Sequence, residues 1–127
     1  MPHCELLGPL GLTDFHSRFR PRSVKEEGTV LKASGAFLSS DRRSLLVECV
    51  TAEGFLHQSF FIIATAQEGR VMVRLLPRTS PEKTEAVKRC LVWIARWIAA
   101  GSPGTAIGRT NLEELLQHPF PAEAIAP

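Results

Sequence analysis

The stretch Thr79–Gly101, TSPEKTEAVKRCLVWIARWIAAG, carries the start, the stop and the periodicity of one amphipathic helix. Ser80 is a natural N-cap, because its hydroxyl can accept from an unpaired amide of the first turn. Pro81 falls at the first helical position, where a missing N–H costs nothing. Glu82 and Glu85 complement the positive end of the dipole, and Gly101 followed by Pro103 ends the run. The expected helix covers residues 80–100. On a wheel, Ala86, Val87, Cys90, Leu91, Ile94, Trp97 and Ile98 form one apolar stripe, as a helix packed on a sheet requires.

The sheet is expected ahead of it. Turn marks recur at Ser39–Arg42, at Glu53-Gly54 and at Glu68-Gly69, and the runs between them are rich in Val, Ile, Leu and Phe. These spacings predict strands over Thr29–Leu38, Ser44–Thr51, Phe55–Thr65 and Arg70–Pro77. The connections are too short for a crossover, so neighbours pair antiparallel as a meander. Residues 1–28 are broken up by Pro2, Gly8, Pro9, Gly11 and Pro21 and read as an irregular segment. After the long helix, Ser102–Gly108 reads as a Gly/Pro linker. Thr110-Asn111-Leu112-Glu113 matches a capping box opening a short helix that Pro119 closes, and a tail follows. The expected fold is therefore α+β in one domain over residues 1–127. It comprises a four-stranded antiparallel meander (29–77), a long amphipathic helix on one face (80–100) and a short helix within 101–127.

The third strand reaches further into tertiary structure. Alternation puts Leu56, Phe60, Ile62 and Ala64 on one face and Phe55, Phe61 and Ile63 on the other. A strand apolar on both faces calls for cover on both sides. One helix supplies only one. The N-terminal segment, the C-terminal helix or a second copy of the chain is expected to supply the other, so a homodimer is one expectation.

Composition narrows the chemistry more than it identifies it. A net charge of +2, with 44% hydrophobic and 22% charged residues, is ordinary for a globular protein. Eleven of the fifteen basic residues are arginine, the side chain best suited to bidentate and stacking contacts. Cys4, Cys49 and Cys90 show no metal-ligand spacing, and with no signal-like N-terminus they read as reduced thiols of a cytoplasmic protein. No apolar run reaches the roughly 18–20 residues of a membrane-spanning helix.

Catalytic signals in the sequence are weak, and an enzyme stands only as a third reading that would need a pocket gathering a histidine and a carboxylate far apart in sequence. The four histidines, His3, His16, His57 and His118, lie in separate segments, and Asp14 and Asp41 are the only aspartates. Glu114 and His118 stand i, i+4, a spacing that serves a surface ion pair more readily than a metal. Gly101–Gly108 lacks the Lys-Ser/Thr of a phosphate loop and trails a helix instead of a strand. No cofactor is implied.

Two surfaces stand out as contact candidates. Val92 points into the polar side of the long helix and Trp93 lies at the edge of the stripe, so Arg89, Val92, Trp93 and Arg96 form a candidate protein-contact patch. The alternative for Trp93 is a core-rim residue stacked by an arginine. If Val71, Val73 and Leu75 face the helix, Met72, Arg74 and Leu76 face away. Lys32, Arg43, His57 and Arg78 can join Arg74 there, a basic face with aromatics of the kind that binds single-stranded nucleic acid. The expected function is a small non-enzymatic binding or adaptor protein acting on a protein partner or on itself. The alternative is a single-stranded nucleic-acid binding module.

Overall fold

The computed structural model describes residues 1–79 and 81–127. Seven strands form one antiparallel sheet: β1 His3–Leu7, β2 Arg22–Glu26, β3 Thr29–Leu38, β4 Ser44–Glu53, β5 Leu56–Gln67, β6 Arg70–Leu75 and β7 Ala106–Thr110. Their order across the sheet is β2-β3-β4-β5-β6-β1-β7. Three of the hairpins turn on two residues, and Gly28, Gly54 and Gly69 in those turns hold φ of 73°, 59° and 73°. That region is open to glycine without penalty, which fixes the register of each hairpin.

The expected four strands are β3 to β6, adjacent and antiparallel. The sheet, however, has seven. The segment expected to be irregular contains β1, a short helix α1 (Leu12–Arg18) and β2. The segment expected as a linker contains β7. β1 lies inside the sheet, between β6 and β7, with His3 opposite Arg74 and Leu7 opposite Arg70. Pairing between strands about a hundred residues apart leaves no local signature in HCELL or AIGRT. The capping-box residues are spent on the same junction. Thr110 Oγ1 donates to His3 O (2.8 Å), and Asn111 Oδ1 accepts from His3 N (3.0 Å). The chain after them forms a 3-10 turn, Glu113–Gln117, and then a four-residue helix α3, Ala122–Ile125.

The long helix, α2, runs Glu85–Ala100, so Pro81 lies outside it; the expected cap Ser80 falls outside the described residues. Thr84 caps instead, its Oγ1 accepting from Val87 N at 3.3 Å, and Glu53 Oε1 at the end of β4 accepts from Ala86 N at 3.1 Å. Both fill orphan donors, and the carboxylate also complements the dipole. The preceding segment is tied to β5 outside the helix: Glu82 N donates to Gln58 Oε1 (2.7 Å), Gln58 Nε2 donates to Glu82 O (3.1 Å), and Thr84 N closes a tight turn onto Glu82 O (2.9 Å). At the other end Arg18 of α1 donates to Trp97 O (3.4 Å) and Ile98 O (3.2 Å), placing a cation on the last carbonyls.

The sheet curls around α2, which touches β1, β3, β4 and β6. Cys4, Leu6, Val24, Leu31, Ala33, Leu45, Val47, Phe60, Ile62, Val71, Val73 and Leu75 point inward from the strands and are buried. Each such aliphatic or aromatic side chain contributes about 1.5–3 kcal/mol by leaving water. Both short helices lie on the same inner side. Phe15 of α1 meets Trp97 edge-on at 5.1 Å, and Trp93 Nε1 donates to Ala124 O of α3 at 2.8 Å. No helix of the described residues is long and apolar enough to cross a membrane.

Candidate functional site

Every helix is on the inner side, so no helix of the described residues covers the outward side chains of the sheet; Phe37 is exposed there, while Leu46, Phe61 and Ile63 are half-buried among their neighbours. Their order follows from register. Phe37, Leu46, Ile63, Arg74 and His3 stand abreast on β3, β4, β5, β6 and β1. The next row holds Gly35, Glu48 and Phe61. Beyond it come Ser23, Lys32, Val50 and Ser59, then Lys25, Val30, Ala52 and His57. With strands about 4.8 Å apart and residues about 3.3 Å apart, the apolar members from Leu46 and Ile63 through Phe61 to Val50 form a strip some 13 Å long on β4 and β5. The third strand is thus apolar on both faces as expected, but no helix among the described residues supplies the outer cover.

The strip centres on an aromatic pair. Phe37 is 54% exposed, and its ring lies back over Gly35, 3.4 Å from where a Cβ would stand. The register shifts between Ala33 and Gly35, and this irregularity turns the following residues of β3. Phe61 approaches from β5, ring centroid to centroid 6.5 Å, so the two rings meet over β4. Glu48, on β4 between them, accepts from Ser34 Oγ through Oε1 at 3.3 Å. Three of the five basic residues expected on this face, Lys32, His57 and Arg74, stand in its rows and are exposed. Arg43 belongs to the turn before β4, its N–H held by Asp41 Oδ1 at 3.0 Å, and Arg78 to the 3-10 turn Pro77–Thr79. Both lie at the margins.

Comparison with known proteins adds no relative. The chain matches no protein-family model, no curated protein and no solved structure.

The expected contact patch on the long helix is not available as a surface. Val92 and Trp93 are wholly buried, because the C-terminal segment folds over the side of α2 that the wheel assigns to solvent. Arg96 donates to His118 O (2.7 Å) and lies 5.4 Å over the Phe120 ring, while Arg89 pairs with Glu26 (3.8 Å) and Glu85 (3.9 Å). Arg22, not singled out by sequence, reaches over Trp97 at 4.3 Å and donates to Ala126 O at 2.7 Å. Arg22 and Arg96 tie the C-terminal segment down, and Arg89 links α2 to β2. His118 bonds Glu26 Oε2 at 2.6 Å, across from β2, in place of the expected Glu114 pairing.

The remaining polar groups are paired within the chain, buried as thiols, or line one cleft. Glu5, buried beside β7, accepts from Arg109 N (2.9 Å) and Arg70 Nη1 (3.1 Å). The Arg109 amide first, and then the Arg70 guanidinium, hold its carboxyl below the usual range, while burial opposes them. Burial pushes the Cys4 thiol up to about 11, and burial followed by the neighbouring Cys90 thiol raises Cys49. Neutral buried thiols are poor nucleophiles. A cleft of about 450 Å³ between α2 and the 3-10 turn 113–117 is lined by Glu85, Lys88, Asn111, Leu112, Glu113, Glu114 and Leu115. Among the described residues no three His, Cys, Asp or Glu side chains group as metal ligands.

Proposed function

We propose that this protein is a non-enzymatic binding or adaptor module whose outer sheet face docks a protein partner. The observation that carries the reading is the uncovered strip of Phe37, Leu46, Phe61 and Ile63, centred on an aromatic pair. Aromatic side chains at the centre of a patch are what interfaces use as anchors, and a polar margin limits the loss of water to the docked area. The inner face cannot serve, since α2 and both short helices already fill it. Buried, unpaired thiols fit a reducing compartment such as the cytoplasm.

The test is position-specific photo-crosslinking in cells, with a benzophenone amino acid in place of Phe37 or, as a control, of Arg20 on the other side. Partner adducts at position 37 that disappear with Ile63→Asp support the reading. Equal adducts at both positions, or adducts insensitive to Ile63→Asp, count against it.

A second reading rests on the unpartnered cations beside the same aromatic pair: single-stranded nucleic acid stacked on Phe37 and Phe61, its phosphates near Lys32, His57 and Arg74, with Arg43 and Arg78 at the margins. Glu48 between the rings weighs against it, because a phosphate backbone would pass over a carboxylate. Anisotropy of a labelled single-stranded oligonucleotide at about 50 and 200 mM salt decides, since several phosphate contacts make binding fall by orders of magnitude between those conditions.

A further inference from the structure

The cations of this chain fall into two sets. Arg18, Arg22, Arg89 and Arg96, all behind the sheet, are committed to carbonyls, carboxylates and aromatic rings of the chain itself. Lys25, Lys32 and Arg74 stand outward on β2, β3 and β6, exposed, with no side-chain partner among the described residues. Against these three the outer rows hold one exposed carboxylate, Glu48, because Glu5 is taken by Arg70 and the Arg109 amide. The apolar strip is therefore flanked by uncompensated positive charge.

Resting on the docking reading above, we infer that the occupant of this face is an acidic amphipathic helix of another protein. Two arguments select it. A second copy stacked face to face would bring together two faces that each carry Lys25, Lys32 and Arg74 against one exposed carboxylate, Glu48, and like net charge opposes association. An added strand is no better placed: β4 is paired on both sides, β5 is paired with β6 from Ile62 on, and Phe61 N and O are taken by Thr79 Oγ1 and Leu76 N, so around the strip only side chains are offered. A helix docks by side chains alone. About two and a half turns cover the strip of some 13 Å, at 5.4 Å per turn. Its apolar stripe would sit on Phe37, Leu46, Phe61 and Ile63, with the Glu48 carboxylate turned toward Ser34 Oγ (3.3 Å), and carboxylates confined to its flanks, away from Glu48, would reach Lys32 and Arg74.

The experiment uses the full chain and three fluorescein-labelled helical peptides of about 18 residues. They share one Leu/Phe stripe and differ in flanks of Glu, Gln or Lys. At about 50 mM salt the Glu-flanked peptide is expected to bind roughly five- to tenfold more tightly than the Lys-flanked one, and the gap to close as salt screens the pairs. Lys32→Glu with Arg74→Glu should invert the order, and Phe37→Ser should abolish binding of all three without unfolding, the ring being exposed. Gln or Lys flanks binding as well as Glu, still dependent on Phe37, would overturn the acidic class and leave the docking reading standing. Binding that ignores Phe37, or no binding by any peptide, would overturn the docking reading itself. Concentration-dependent dimerisation abolished by Phe37→Ser would name a second copy as the occupant and overturn the inference.

Discussion

The rings of Phe37 and Phe61 meet over β4 with centroids 6.5 Å apart and planes at 58°, although their strands are not neighbours. Contact across an intervening strand needs both side chains to lean inward above Glu48 and Leu46, and the fold of Phe37 over Gly35 provides that lean. The pair contributes modestly to stability, because one ring is more than half exposed. Phe37→Ala is expected to cost no more than about 1 kcal/mol in denaturant unfolding. Phe60→Ala, one position from Phe61 on the inner face, should cost about 3–5 kcal/mol. Equal costs for the two would mean that the outer face is covered in solution.

Arg18 and Gly101 meet at the C-terminus of α2. A Cβ on Gly101 would collide with the Arg18 guanidinium, which donates to Trp97 O and Ile98 O. Arg18→Ala is expected to destabilise by about 1–3 kcal/mol through loss of charged hydrogen bonds. Gly101→Ala should cost a similar amount, and the double variant should cost clearly less than the two added together. Strict additivity in a thermodynamic cycle would show that the two act independently.

Glu5 makes an acid-side prediction. Its folded carboxyl titrates below its unfolded value, so the stability it contributes is complete above the ordinary carboxylate range and is lost as pH falls through the folded value. Glu5→Gln should therefore be destabilising near neutral pH and converge on wild type in strongly acidic solution. The comparison needs denaturant midpoints between about pH 7 and pH 2. A constant gap across that window would contradict the assignment. Gly108→Ala, whose Cβ would strike Glu5 Oε1, should also destabilise, but with a part that persists in acid because the clash does not depend on protonation.

The thiols predict the alkaline side and a labelling rate. Burial raises Cys4 to about 11, above the unfolded value of about 8.5, so its stabilisation is complete below the latter and is lost as pH rises through the former. Cys4→Ala should flatten the alkaline limb of the stability profile. Cys4, Cys49 and Cys90 are all fully buried, so a thiol reagent should react only at the rate of opening or unfolding. Rapid labelling of the native protein would contradict this.

What could be read ahead of the structure follows the range of the interactions. β3 matches its expected span of Thr29–Leu38, because alternation and turn residues are local signals. β1 and β7 are illegible for the opposite reason: five residues each, held by partners far along the chain. The start of α2 shifts to Glu85 because Gln58 on β5 takes both backbone groups of Glu82, a tertiary contact that overrides the helical preference of Pro81 at a first turn. Val92 reads as misplaced on a wheel because the C-terminal segment that covers it has no periodicity of its own. The outer face is legible in part. Alternation assigns Arg74 and Phe61 to it, whereas the meeting of Phe37 with Phe61 depends on register and an irregularity near Gly35.

The central claim is that the outer sheet face, and not α2 or the cleft beside it, receives the partner. Amide chemical-shift mapping with the Glu-flanked helical peptide tests it directly. The account predicts that perturbations concentrate on Phe37, Leu46, Phe61, Ile63 and Arg74 and leave Glu85, Lys88 and Glu113–Leu115 unmoved. Perturbations confined to the latter group, or spread evenly over both faces, would contradict it.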